Sequence, residues 1–161
     1  PFIDTLAAPV RRAIGALETL QAPALLAARL YVAHAFFLSG LTKIRDWETT
    51  LALFENEYAV PLLPFEWAAA LGTAGELVLP VLLALGLAGR FAAAGLSVVN
   101  VVAVLSLAEI APAALQQHQF WGSLLLGLLL WGAGRWSLDR LVTARLTTAE
   151  PATLAGYTRA A

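Results

Sequence analysis

Five residues set inside apolar stretches have side chains that could do chemistry: Arg29, His34, Lys43, Glu76 and Asn100. Glu76 stands near the middle of residues 64–90, PFEWAAALGTAGELVLPVLLALGLAGR, a stretch long enough to cross a bilayer. An acid at the centre of the hydrocarbon costs roughly 2.5–3.5 kcal/mol on insertion scales, so it needs a polar partner. Placed there, a carboxylate can hold a cation, bind a polar headgroup, or take up and release a proton. Pro80, four residues on, has no N–H to offer the Glu76 carbonyl, so a backbone acceptor is expected to be freed and the helix to kink. Ala68, Gly72 and Glu76 share a face on which small residues are expected to admit a neighbouring helix, turning the acid into a bundle rather than into lipid.

Arg29 is the first partner to consider. It lies about 7.5 Å before His34 along a helix, and its long side chain would reach toward Glu76 from there. An Arg29–Glu76 pair would account for both charges. Arg29, Ala33, Phe36, Gly40 and Lys43 share one helical face, whereas His34 is turned about 140° from Arg29, so the Arg29 face is expected to point inward. The pair can be read equally as a structural clasp that fixes register and as a group that binds a headgroup or moves protons. His34 and Asn100 are residue types that more often bond between helices than bind ligands. His118, beside Gln116, Gln117 and Gln119, is expected to cap a helix in water. It is too far in depth from His34 for a shared haem, and no metal site is expected. Without a cysteine the chain has no disulfide framework, Cys-ligated cluster or dithiol relay of its own, so redox work would need a bound cofactor or a partner.

The elements that must position these residues follow from the apolar pattern. With 60% hydrophobic and 13% charged residues among 161, and a mean hydropathy of +0.75, the chain is far more apolar than a soluble domain. An all-α integral membrane four-helix bundle with amphipathic interfacial helices is expected, as a single domain with spans at about 24–42, 64–87, 90–111 and 114–134. Amphipathic segments are expected at about 2–20, 46–58 and 137–146. In the first of these, Ile3, Leu6, Val10, Ala13, Leu17 and Leu20 recur at helical spacing, which predicts a surface-lying helix, either solvated on the bundle's end or bound to lipid, separate from a first span that begins after Pro23. The opening does not have the layout of a signal peptide, because Arg11 and Arg12 follow apolar residues instead of preceding an apolar core. The chain has no methionine, so Pro1 is not expected to be the natural start. Asp46 is expected to cap the second amphipathic segment, with Trp47, Leu51, Phe54 and Tyr58 on its apolar stripe. The last ten residues are expected to be disordered.

Four spans put both termini on one side. That side and the second loop hold Arg11, Arg12, Arg90, Arg135, Arg140, Arg145 and Arg159, against Lys43 and Arg45 with six acids opposite, so both termini are expected to be cytoplasmic.

Three segments together resemble the DoxX family of small four-helix bacterial membrane proteins: LLAARLYVAHAFFLSGLTKI, GTAGELVLPVLLALGLAGRFAA and GAGRWSLDRL. Arg29, Gly40 and Lys43 carry the likeness in the first, Gly75, Glu76 and Arg90 in the second, and Gly134, Ser137, Leu138 and Asp139 in the third. It covers about residues 25–141 and departs at Ser39, where many relatives have His or another polar side chain. The SGLTKIRDW and LFENEYAVPLLP stretches resemble a subgroup encoded beside metal-stress peptide clusters.

The resemblance implies a bacterial inner-membrane location and two different kinds of function. Some relatives are subunits of a thiosulfate:quinone oxidoreductase or of an oxidoreductase complex in thiol homeostasis, and distant eukaryotic relatives are cargo receptors. The expected function is therefore a multi-pass subunit of a redox or stress-response system, at most part of an oxidoreductase. It would bind a quinone or lipid headgroup among Arg29, His34, Lys43, Glu76 and Asn100, with Glu76 as proton carrier. The alternatives are a non-enzymatic scaffold that docks a protein partner on its acidic helix and a small transporter or cargo receptor. Beyond the lipid bilayer, a protein partner or larger membrane complex is expected, and no nucleic acid.

Overall fold

The computed structural model describes residues 2–149, with side chains from 7 to 145. The tail for which the sequence predicts disorder lies outside them. Six helices are present: α1 (Phe2–Arg45), α2 (Trp47–Asn56), α3 (Phe65–Leu85), α4 (Gly89–Leu105), α5 (Pro112–Trp131) and α6 (Leu138–Ala149). Among the described residues there is no strand, only an isolated antiparallel bridge between Tyr58 and Leu107. Of the helices, α1 and α3 are long and apolar enough to cross a membrane, and α4 is a shorter apolar helix.

Four helices pack in a ring, α3 between α1 and α4, and α5 closing from α4 back to α1, while α2 lies against α3 and the end of α1. Their core is narrow. Val32, Phe36, Leu83, Ala92, Ala93, Leu96, Leu125 and Leu128 fill it, the alanines letting α4 come close. Large apolar side chains such as Val78, Val81, Phe91, Leu126 and Leu130 point outward instead. That is the distribution of a bundle whose surroundings are apolar, since hydrocarbon does not penalise an exposed leucine.

Two sequence expectations change. Pro23 does not end a helix: α1 runs through both Pro9 and Pro23 as one 44-residue element. Proline removes one backbone bond but not the helical tendency of the Ala- and Leu-rich residues on either side, which carry the helix across it. Residues 2–20 are therefore a direct extension of the first apolar span and not a separate helix. Turns also shorten the later helices. Gly132 at φ +81 stops α5 at Trp131, and α4 ends at Leu105 rather than near residue 111.

Gly40 sets how α1 and α3 are staggered. A Cβ there would meet Leu77 at 2.9 Å and the Glu76 backbone at 3.1 Å, so the two helices touch where only glycine fits. Glu76 is therefore level with Gly40, and Arg29 is about 16 Å further along α1. The face of Ala68 and Gly72, expected to admit a neighbouring helix, meets the α2 side chain Phe54 near Gly72 and borders a cavity beyond.

Candidate functional site: an ion pair opening into an apolar cavity

Glu76 is 7% exposed, and its partner is Lys43. The Lys43 Nζ donates to Glu76 Oε2 at 2.6 Å and to Ser39 Oγ at 2.9 Å, one turn back on the same helix. The expected Arg29–Glu76 pair does not form. The stagger at Gly40 explains this, because it brings Lys43 to the acid and carries Arg29 to the opposite end.

There Arg29 is fully buried, with Nη2 donating to the Trp136 carbonyl. Around it the chain reverses through Gly86 at φ +66, where a Cβ would collide with Arg29 Nη1 and with Ser137. Asp139 holds that turn closed, its carboxylate accepting from the N–H groups of Ala88 at 2.7 Å and Gly89 at 2.9 Å, while its own N–H donates to the Gly86 carbonyl at 2.9 Å. Ser137 Oγ donates to the Gly134 carbonyl. Gly86, Gly134, Ser137 and Asp139 thus serve the turn that encloses Arg29.

At the other end the ion pair opens into a cavity of about 430 Å³ bounded by α1 to α5. Its walls are largely apolar, with Phe36, Phe54, Leu71, Val98, Val99 and Trp121 among them, and its polar groups are Ser39, Lys43, Tyr58, Glu76, Ser106 and His118. Phe54 comes from α2 and Tyr58 from the segment just after it, and their rings meet edge to face at 5.0 Å.

Three devices hold α2 in place. Thr50 Oγ1 donates to the carbonyls of Lys43 and Asp46, each at 2.9 Å. Asp46 caps the helix, accepting from Thr49 Oγ1 at 2.7 Å and from Thr49 N–H at 3.0 Å, and these bonds hold its carboxyl below the usual carboxylate range. Beyond the helix, Ala59 N–H donates to the Ser106 carbonyl, so the segment after α2 is tied to the end of α4.

His118 enters the cavity through a pairing the sequence reading did not anticipate. Asn100, 5% exposed, donates from Nδ2 to the His118 carbonyl at 3.0 Å, and its Oδ1 lies 2.8 Å from His118 Nδ1. An amide oxygen only accepts, so Nδ1 carries the hydrogen and Nε2 is the ring nitrogen left for another partner. Trp121 packs edge-on to His118 at 5.2 Å and tilted on Phe36 at 5.4 Å. Its buried indole N–H has no hydrogen-bond acceptor among the described residues.

Of the sequence candidates, Lys43 and Glu76 line the cavity and Asn100 orients His118, which does. Arg29 and His34 do not line it, and His34 is exposed on the outside of α1. A signal for His118 was present. Asn100 and His118 stand at similar distances before and after the α4–α5 connection, so a helical hairpin sets them level. The same cavity could hold a flat, lipophilic, hydrogen-bond-accepting group, with Lys43 and Tyr58 as donors. Among the described residues no cluster of three or more His, Asp or Glu is placed to hold a metal ion.

A family model described as DoxX matches residues 24–109. No curated protein and no solved structure matches the chain. The matched stretch runs from the first apolar span through the Lys43–Glu76 pair, α2, α3 and α4 and covers more than half of the sequence: this chain belongs to the DoxX family and is a membrane protein.

Proposed function

We propose that this protein is a four-span inner-membrane subunit of a redox or stress-response system, with both termini cytoplasmic, whose cavity binds a quinone or a similar lipophilic headgroup. One observation carries the reading. A half-buried ion pair, Lys43–Glu76, opens into a largely apolar cavity that also presents His118. An ion pair kept only for register does not need that opening, whereas ligand sites of this kind are apolar pockets of about 300–1,000 Å³ with a few convergent polar groups.

The residues present fit a quinone ring. Such a ring is flat, carries acceptor oxygens at opposite edges and has no donors, so it calls for apolar walls and donor groups. Phe36, Phe54 and Trp121 supply walls, and Lys43 and Tyr58 supply donors. A bound quinone would supply electron and proton uptake together. This chain's part is to orient the ring, exclude water from it and hold a proton at the Glu76 carboxylate, which Lys43 keeps in place at 2.6 Å. Electrons would come from a partner, because the chain has no cysteine and carries no dithiol of its own.

The test is binding of a short-tailed quinone to the purified protein, followed through quenching of tryptophan fluorescence. Binding that falls tenfold or more in Glu76→Gln, with an unchanged melting temperature, supports the site. Unchanged binding in that variant would overturn it.

A scaffold is the second reading, favoured by one observation. On the Asp46 side of the bundle, Leu62 is fully exposed at φ +68, near the exposed acids Glu55, Glu57 and Glu66. If docking on that face is the main role, Leu62→Ser releases a co-purifying protein and leaves quinone binding intact.

A further inference from the structure

The cavity meets the outside of the bundle between α3 and α4. Of the residues that line it, only Leu63, Leu71 and Val98 are exposed, at 45%, 56% and 63%, and all three are aliphatic. Leu71 stands between Trp67 and Val78 in the exposed stripe of α3, and Val98 between Phe91 and Leu105 in that of α4. Each therefore belongs to the outer surface and to the cavity wall at once, which places a mouth between the two helices. On α1 and α5 the exposed Leu38 and Phe120 take no part in the wall.

The mouth has a firm frame. On one side α3 and α4 touch, since a Cβ on Gly75 would meet Val99 at 3.3 Å and one on Gly95 would meet Leu79 at 2.7 Å. On the other, Ala59 N–H donates to the Ser106 carbonyl at 2.9 Å and Tyr58 bridges to Leu107, so the segment after α2 closes that edge. From Val99 to Ser106 is about 10 Å of helix, enough to pass the edge of a flat ring or an extended hydrocarbon chain. Leu71 and Val98 also lie about 10 Å in from the start of α3 and the end of α4. Helix α3, at 21 residues, matches the thickness of the hydrocarbon, so an opening at that depth faces lipid tails and not water.

The cavity is thus polar at its far side and aliphatic at its mouth. Lys43 and Ser39 reach it from α1, where the ammonium meets Glu76, and His118 from α5. We propose that the ligand is a tailed lipid that enters sideways from the bilayer between α3 and α4. Its head rests at the Lys43–Glu76 pair, and its hydrocarbon tail lies in the mouth against Leu63, Leu71 and Val98. This builds on the cavity as a headgroup site and adds the class of molecule: an acceptor-bearing head on a hydrocarbon chain. The mouth lets the chain stay in hydrocarbon while the head is inside.

Two quinones with the same ring, one with a single prenyl unit and one with a long prenyl tail, separate head from tail. Each is radiolabelled, and its equilibrium binding to the full chain in lipid nanodiscs is compared between parent and variant, so that partitioning into lipid cancels. Leu71→Trp with Val98→Trp fills the mouth from outside. A cavity of about 430 Å³ has room for the ring and one unit, so the short-tailed quinone does not need the mouth once it is inside. The expected result is a fall of about tenfold or more in long-tailed binding, with short-tailed binding within about twofold of the parent and the melting temperature kept. Val78→Trp, on the same stripe of α3 but away from the cavity, changes neither. Unchanged long-tailed binding in the double variant would overturn the mouth, and so would an equal fall for both quinones. Should the double variant not fold, the milder Val98→Phe repeats the comparison, with several-fold weaker binding expected for the long tail only. If the parent binds neither quinone, the cavity reading fails and takes the mouth with it. If it binds both and no mouth variant tells them apart, the mouth alone fails.

Discussion

Arg29 and Glu76 are both buried, yet they are held in opposite ways. Arg29 is enclosed by backbone. Nη2 meets the Trp136 carbonyl, Gly86 leaves room for the guanidinium, and Asp139 closes the turn around it. Glu76 is held by side chains, Lys43 with Ser39 behind it, and beside that pair the structure leaves a cavity. Arg29 Nε and Nη1 have no hydrogen-bond partner among the described residues, but the guanidinium is fully buried and shut away from a ligand, whereas a charge held at the wall of a cavity is open to one. The difference separates a clasp from a site even though both residues have the same rarity in an apolar chain.

The largest effect is expected at the clasp. Gly86→Ala places a side chain in a left-handed backbone position and against Arg29 and Ser137, and about 2–4 kcal/mol of stability should be lost. Thermal unfolding in detergent measures it, and a variant as stable as the parent would show that the enclosed end is not what fastens the fold.

Next comes the paired exchange Lys43→Met with Glu76→Met. Replacing both ions of a buried pair by apolar groups of similar size is close to neutral for stability. The melting temperature should therefore hold within a few degrees, while binding of a short-tailed quinone falls about a hundredfold, or about 2.7 kcal/mol. If stability collapses and binding persists, the roles of the two ends are reversed.

A smaller effect is expected from Asn100→Leu, which leaves His118 in the cavity without its orienting partner. Binding should weaken several-fold with little change in melting, as isothermal titration would show.

The smallest effect concerns the α2 cap. The carboxyl of Asp46 is held below its ordinary range by Thr49, so the cap is fully present above the usual carboxylate pKa and is lost as pH falls through the lower folded value. Amide protection at Thr49 and Thr50 should decline over that acidic window in the parent and be low at every pH in Asp46→Ala. Hydrogen exchange corrected for intrinsic rates reads the difference, and equal protection in both proteins would remove the cap from the account.

Much of this was visible in the residues. Glu76 stood out because an acid in an apolar stretch has few explanations, and Lys43 and Asn100 for similar reasons. The partner of Glu76 was not visible, because hydropathy locates a residue along its own helix but says nothing of how two helices slide past each other. Gly40 decides that stagger, and in sequence a glycine marks a close approach without saying to what. Helix α2 was legible from Asp46 and its apolar stripe, since capping is local. The continuity of α1 through Pro23 was not, because whether a proline breaks a helix depends on the strength of the flanking turns. His118 was set aside for its polar neighbours, although only the hairpin geometry of α4 and α5 could bring it to Asn100.

The continuity of α1 has a mechanical consequence. A 44-residue helix is a rod of about 66 Å, and Lys43 sits near one end of it while Leu17 lies far along the other half. A break at Pro23 would have let the two halves move independently. Without one, any twist or slide of α1 that loosens Lys43 from Glu76 is carried as a rigid-body displacement into the half of the helix before Pro23, so the ion pair and that half cannot be repositioned separately.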